Sequence, residues 1–278
     1  MKSRFKNLAQ ETRLLLRSIP SPVVAAYIVA LVTMNLLANK LVPLNIDYLL
    51  MDCGFFVSWA VFLTMDIITR HFGPRAATIL SVVGLICNVF VALLLFFCGK
   101  LPGIWGESYV PGSEEIINTA LDNTISGNWF VVFGSSVAFL SSAVVNNFLN
   151  FFIGKGVEGE VAGAKKTDDE KAKGKKKNFG TFAVRSYVST FIGQFVDNLV
   201  FALVVSHTLF GLSLLQCFIC AVTGALAELL FEVVFSPIGY AVTKNWEKDG
   251  VGADYFAFVS AKEEVYDGVG NRLIKRDR

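Results

Sequence analysis

Charge is what this sequence has least of. Only 17% of its 278 residues are Asp, Glu, Lys or Arg, against about 25% in an ordinary soluble domain. The deficit is uneven, because long apolar runs alternate with short charged stretches. The formal net charge is +2, so no global field selects nucleic acid as a partner. Histidine is scarcer still. The two present, His71 and His207, are too far apart for the H-E-x-x-H of a metalloprotease. The G-x-S-x-G of a serine hydrolase and the Walker A sequence are also missing, so the chain cannot hydrolyse ATP by itself. The five cysteines are odd in number and lie mostly within apolar runs, which excludes a disulfide framework. Cys217 and Cys220 form a C-x-x-C inside LLQCFICAV, where thiols behave as small hydrophobes. No metal or cofactor is expected. The first apolar run is too long for a signal-peptide core and lacks a small-residue cleavage site.

What is abundant is apolar length. Hydrophobic residues make up 54% of the chain, and the mean hydropathy is +0.55. A spanning helix needs about 20 predominantly apolar residues, and six windows qualify: 22–43, 54–72, 76–98, 129–153, 183–209 and 213–241. No alternation of the β-barrel kind appears, and helices then remain as the way to satisfy a lipid-exposed backbone. The expected fold is all-α, a polytopic membrane protein of six transmembrane helices.

Lysine and arginine set the orientation. They crowd the N-terminal arm (Lys2 to Arg17), the second-to-third connection (Arg70, Arg75), the lysine-rich 165–177 stretch and the C-terminal tail. The opposite loops hold Lys100, and Lys40 and Arg185 lie at helix ends. Both termini are therefore expected in the cytoplasm. Residues 1–21 read as a cytoplasmic amphipathic segment, 22–243 as the transmembrane domain with a cytoplasmic loop at 154–182, and 244–278 as a cytoplasmic tail. Phe5, Leu8, Thr12, Leu15 and Ile19 follow helical spacing, with Lys6, Arg13 and Arg17 between them. This fits a helix on the inner leaflet, a solvated tail being the alternative. The 165–177 stretch reads as a disordered loop.

Three helices per half would give two halves of opposite topology. Asn35 and Asn39 in the first helix echo Asn146 and Asn150 in the fourth, and Asp66 in the second echoes Asp197 in the fifth.

The polar residues within the spans carry the functional reading. Asp66, Asp197, Glu228 and Glu232, if ionised and unpaired at depth, would cost on the order of 10 kcal/mol together. They must face one another, a cation or a wet cavity, or be protonated. Arg70 lies one turn beyond Asp66, and Arg185 opens the fifth helix. Gln194 and Asn198 flank Asp197, and Glu228 shares one helix face with Glu232. Each has a blander reading. The asparagines serve as interhelical glue, Lys40 snorkels to the interface, Arg70 and Arg185 anchor the inner side, and the carboxylates belong to a structural ion-pair network. Asp197, near the middle of its helix, is the hardest to dismiss.

Four motifs in order resemble the queuosine precursor transporter family, also called the vitamin uptake transporter family. They are MNLLANK (34–40), the stretch from Asp52 and Gly54 to DIITRHFGPRAA (66–77), RSYVSTFIGQFVDNLVF (185–201) and FEVVFSPIGY (231–240). The resemblance covers about residues 25–245. It implies uptake of a 7-deazaguanine queuosine precursor across a bacterial inner membrane by secondary or facilitated transport. It also assigns Asn35, Asn39, Asp66, Arg185, Gln194, Asp197 and Glu232 to the substrate path, with Lys40, Arg70 and Glu228 as ion-pairing or gating residues. Arg70 stands where the family commonly has an acid, and Glu228 where it has a lysine; an ion pair with exchanged partners would reconcile the two. The expected partners are a small-molecule substrate and membrane lipids, not nucleic acid, and a homo-oligomer is left open. One alternative is the substrate-binding subunit of an energy-coupling vitamin uptake complex, for which Ala26-x-x-x-Ala30 offers a small-residue docking face. Another is an intramembrane enzyme using Asp66 and Asp197, although neither is preceded by the glycine pattern of intramembrane aspartyl proteases.

Overall fold

The structure, a computed structural model, describes residues 2–43, 50–106, 111–161 and 191–265. Helices dominate. They are α1 (Lys2–Ser18), α2 (Ser21–Leu37), α3 (Phe55–Phe72), α4 (Pro74–Cys98), α5 (Glu114–Val161), α6 (Phe191–Phe210), α7 (Leu214–Lys248) and α8 (Ala253–Val265). Five of them, α3 to α7, are long and apolar enough to cross a membrane. A sixth span results if α1 and α2, which meet at a bend of 105°, count together. On its own, the 17-residue α2 reaches about 26 Å, slightly less than the hydrocarbon core of about 30 Å.

The all-α expectation needs one correction. The first apolar window, 22–43, is not helical throughout. After Leu37 the chain turns into β1 (Leu41–Pro43), which pairs antiparallel with β2 (Leu50–Asp52) in the register Leu41–Asp52, Val42–Met51 and Pro43–Leu50. Leu41, Val42, Leu50 and Met51 are as apolar as a helix continuation would be, but Pro43 carries no N–H to extend a helix ladder. The fourth window was also too narrow, since α5 runs unbroken for 48 residues and starts well before residue 129. Its first turns, EEIINTALDNTISGN, are polar, so apolar length alone does not register them. Inside α6, Ala202–Ser206 form a π-turn, and Gly211 ends the helix in the left-handed region at φ 67°. That conformation costs glycine nothing.

The chain forms two compact units. The first comprises Met1–Leu31, Ala60–Asn88 and Phe235–Arg278; the second comprises Val32–Trp59 and Val89–Val234. In the first, Leu15, Ile19, Ile68, Ala76 and Leu80 are buried, and α1 packs against α8. Aromatic rings join the ends of α3 and α7 to α8: Phe72 stacks on Phe256 at 5.6 Å, and His71 meets Trp246 edge-on at 5.4 Å. The imidazole of His71 donates through Nε2 to the Val251 carbonyl at 2.8 Å. In the second, Ala38, Val131 and Val205 form one buried cluster, and Ala202, Leu212 and Cys217 form another. The Cys220 thiol donates to the Leu50 carbonyl at 2.7 Å, tying the hairpin to α7. Many apolar side chains on the spans remain exposed, among them Ile86, Phe90, Phe97, Leu140 and Leu230. In water such surface would be a liability; in lipid it is matched.

Candidate functional site

The second unit gathers polar side chains from α2, the hairpin, α5, α6 and α7. At the end of α2, Asn35 is 2% exposed. One turn on, the Asn39 amide donates to the Asn128 carbonyl oxygen on α5 at 2.8 Å and to the Leu36 backbone at 3.1 Å. Asn128 is itself buried. Two carboxamides joined in an apolar surrounding satisfy each other where neither could be left alone cheaply.

The carboxylates follow on the neighbouring helices. Asp197 on α6 accepts from the Ser142 hydroxyl on α5 at 3.2 Å. Next in sequence, the Asn198 amide donates to Glu228 on α7 at 3.2 Å. Glu228 is 7% exposed and lies within electrostatic range of Asp197 and Asp52. Gly224, one turn before Glu228, lets Asn198 sit close: a Cβ there would stand 3.1 Å from its amide nitrogen. The Oε1 of Gln194, one turn before Asn198, is buried and has no hydrogen-bond partner among the described residues. Asp197 and Glu228 are thus each bonded by a neutral donor.

Asp52 lies at the hairpin edge, outside the spans. Its carboxylate accepts N–H bonds from Gly54 and Phe55, capping the start of α3, while burial pushes its pKa up to about 6 from the usual 3.8. Those two bonds favour the charged form and burial opposes it; burial prevails. Gly54 must be glycine, because a Cβ would stand 2.5 Å from the Met34 carbonyl oxygen and 2.8 Å from the Asp52 carboxylate.

The sequence-derived residues divide as follows. Asn35, Asn39, Gln194, Asp197 and Glu228 fall in the second unit, together with Lys40, which is exposed in the turn after α2. Asp66 and Arg70 belong to the first unit, where Arg70 is exposed and acts electrostatically on the half-buried Asp66. Arg185 lies outside the described residues, as do the 165–177 stretch and the side chains of Glu232, Asn146 and Asn150. Two polar members escaped the sequence reading, Asn128 and Ser142. Asn128 precedes the fourth apolar window by one residue, and Ser142 looks like a small packing residue within it. Treating every polar residue within a turn of the window as a candidate would have found both.

Among the described residues, no group of three or more His, Cys, Asp or Glu side chains is placed to hold a metal ion. A cavity of about 360 Å³ in the first unit is lined by His71, Trp246, Glu247, Gly250, Val251, Ala253 and Phe256. It contains none of the residues assigned to the substrate path or to ion pairing and gating. The amide and carboxylate set of the second unit has the stronger claim to recognition chemistry, because it offers convergent acceptors and donors at span depth.

A sequence profile described as "Putative vitamin uptake transporter" matches residues 52–242, well over half of the chain. No curated protein and no solved structure matches it.

Proposed function

The chain belongs to the putative vitamin uptake transporter family and is a polytopic membrane transporter; from that premise we propose that it imports a 7-deazaguanine queuosine precursor. Transport would be secondary or facilitated, across a bacterial inner membrane, with both termini in the cytoplasm. The observation that supports this reading is the arrangement around α6. Asp197 and Glu228 each accept a hydrogen bond from a neutral side chain, Ser142 and Asn198, which leaves carboxylate lone pairs able to accept more. A flat heterocycle with N–H donors around its edge fits such acceptors. Gln194, whose amide oxygen has no partner among the described residues, adds another, and Asn35 and Asn39 complete the polar path. Arg185 and Glu232 are assigned to the same path. Asp66 is assigned to it as well, while Lys40 and Arg70, with Glu228 in addition, take ion-pairing or gating roles.

Thermal unfolding of the purified protein with 7-deazaguanines and with ordinary purines tests this. A ligand selective for the folded state raises the midpoint, by about 2.7 kcal/mol of stability at a hundredfold excess over its dissociation constant. We expect a 7-deazaguanine to stabilise the protein and guanine to do so less. Asp197→Asn and Glu228→Gln should each abolish the stabilisation while leaving the unliganded midpoint near that of the parent. If no 7-deazaguanine shifts the midpoint, the substrate assignment is wrong.

A further inference from the structure

The bend between α1 and α2 fixes the depth of α1. The two helices meet at 105°, so wherever the 17-residue α2 crosses the apolar layer by itself, α1 runs nearly parallel to the membrane surface. With a rise of 1.5 Å per residue, Arg13 and Arg17 differ in depth by only about 2 Å, and by about 3 Å if α2 tilts by a typical 20°. Arg17 precedes the first residue of α2 by four positions, so both arginines sit at the level where the span enters the lipid.

The rotation of α1 is fixed as well. Glu11 is fully buried and pairs with Arg75 through two contacts, Nη2 to Oε2 at 2.9 Å and Nε to Oε1 at 2.6 Å. Leu15 and Ile19, on the same face as Glu11, are buried too. Arg13 and Arg17, four residues apart on the opposite face, are exposed. Glu11 is the helix's sole carboxylate, so the described exposed face carries positive charge and no negative charge. Leu8, 47% exposed, adds an apolar side chain.

We propose that the exposed face of α1, held in place by the Glu11–Arg75 ion pair, is a docking surface for anionic phospholipid headgroups, with Arg13 and Arg17 binding the phosphates. Depth decides the occupant, because side chains at that level meet headgroups before they meet any soluble partner. The charge is complementary, and Arg is well suited to phosphate.

The test uses the full chain in nanodiscs of mixed phosphatidylglycerol and phosphatidylcholine, with retained lipid counted by native mass spectrometry. The parent should enrich phosphatidylglycerol. Each arginine contributes roughly fivefold to that preference, so Arg13→Gln with Arg17→Gln should lower it by roughly twentyfold or more. Arg13→Lys with Arg17→Lys should retain most of it. Circular dichroism checks that helix content is unchanged; should the glutamine pair unfold, the two single variants carry the same comparison. An undiminished preference for phosphatidylglycerol in folded glutamine variants overturns the proposal, as does a lysine pair that loses as much as the glutamine pair.

Discussion

Replacing Arg75 by methionine isolates the consequence of a buried carboxylate that has lost its cation. Glu11 has a side chain only 1% exposed, whereas that of Arg75 is 62% exposed. The pair is therefore buried on one side. Breaking a fully buried pair costs about 3–5 kcal/mol, because the remaining charge is stranded. Here water already reaches the guanidinium and screens the interaction, so the lower end applies, about 3 kcal/mol. For a chain of this size each kcal/mol moves the midpoint by about 2–4 °C, which gives a drop of roughly 6–12 °C. Trp246, buried against His71 and Phe72 in the same unit, supplies a fluorescence readout in detergent. Changing both partners, Glu11→Leu with Arg75→Met, removes the stranded charge and should recover most of the loss. A midpoint shift below about 2 °C for Arg75→Met would refute the reasoning. So would a double variant no more stable than the sum of the singles.

Two further outcomes follow from the second unit. Asn39→Ala deprives the buried Asn128 oxygen of its 2.8 Å donor and should destabilise by about 1–3 kcal/mol in denaturant titration; Asn39→Leu with Asn128→Leu should do less harm than Asn39→Ala alone. Asp52, with its pKa raised from 3.8 to about 6, binds its proton more tightly folded than unfolded. Its contribution to stability is therefore fullest below about pH 4 and is lost as pH rises towards and through about 6, a decline of about 3 kcal/mol. Asp52→Asn should flatten that part of the stability–pH curve, and an unchanged slope would count against the assignment.

Hydropathy made α3 and α4 legible almost to the residue, since their apolar runs end at Arg70 and at Cys98, where the helices also end or nearly so. The hairpin was not legible. A short apolar stretch fits a buried strand and a helix equally well, and its pairing with Leu50–Asp52 depends on tertiary structure. The start of α5 was missed for a different reason: a hydropathy window reports immersion in lipid, and a polar helix can precede it without changing the score. In the site, Asp197 stood out because a carboxylate at mid-span is expensive. Ser142 did not, because a serine there costs little and its donor role depends on α6 lying beside it. Such partnerships belong to tertiary packing, to which a single sequence gives no access.

The π-turn at Ala202–Ser206 has a consequence for the angular phase of α6. A single π-turn amounts to one extra residue in an otherwise regular helix, and one residue rotates an α-helix by about 100°. Asp197 and Asn198 lie before that insertion, and His207–Phe210, the last turn of the helix, lies after it. Excising one residue from 202–206 would regularise the helix but swing Asp197 and Asn198 about a quarter turn away from Ser142 and Glu228. The irregularity thus acts as a phase shifter, letting the two ends of one helix answer to different neighbours.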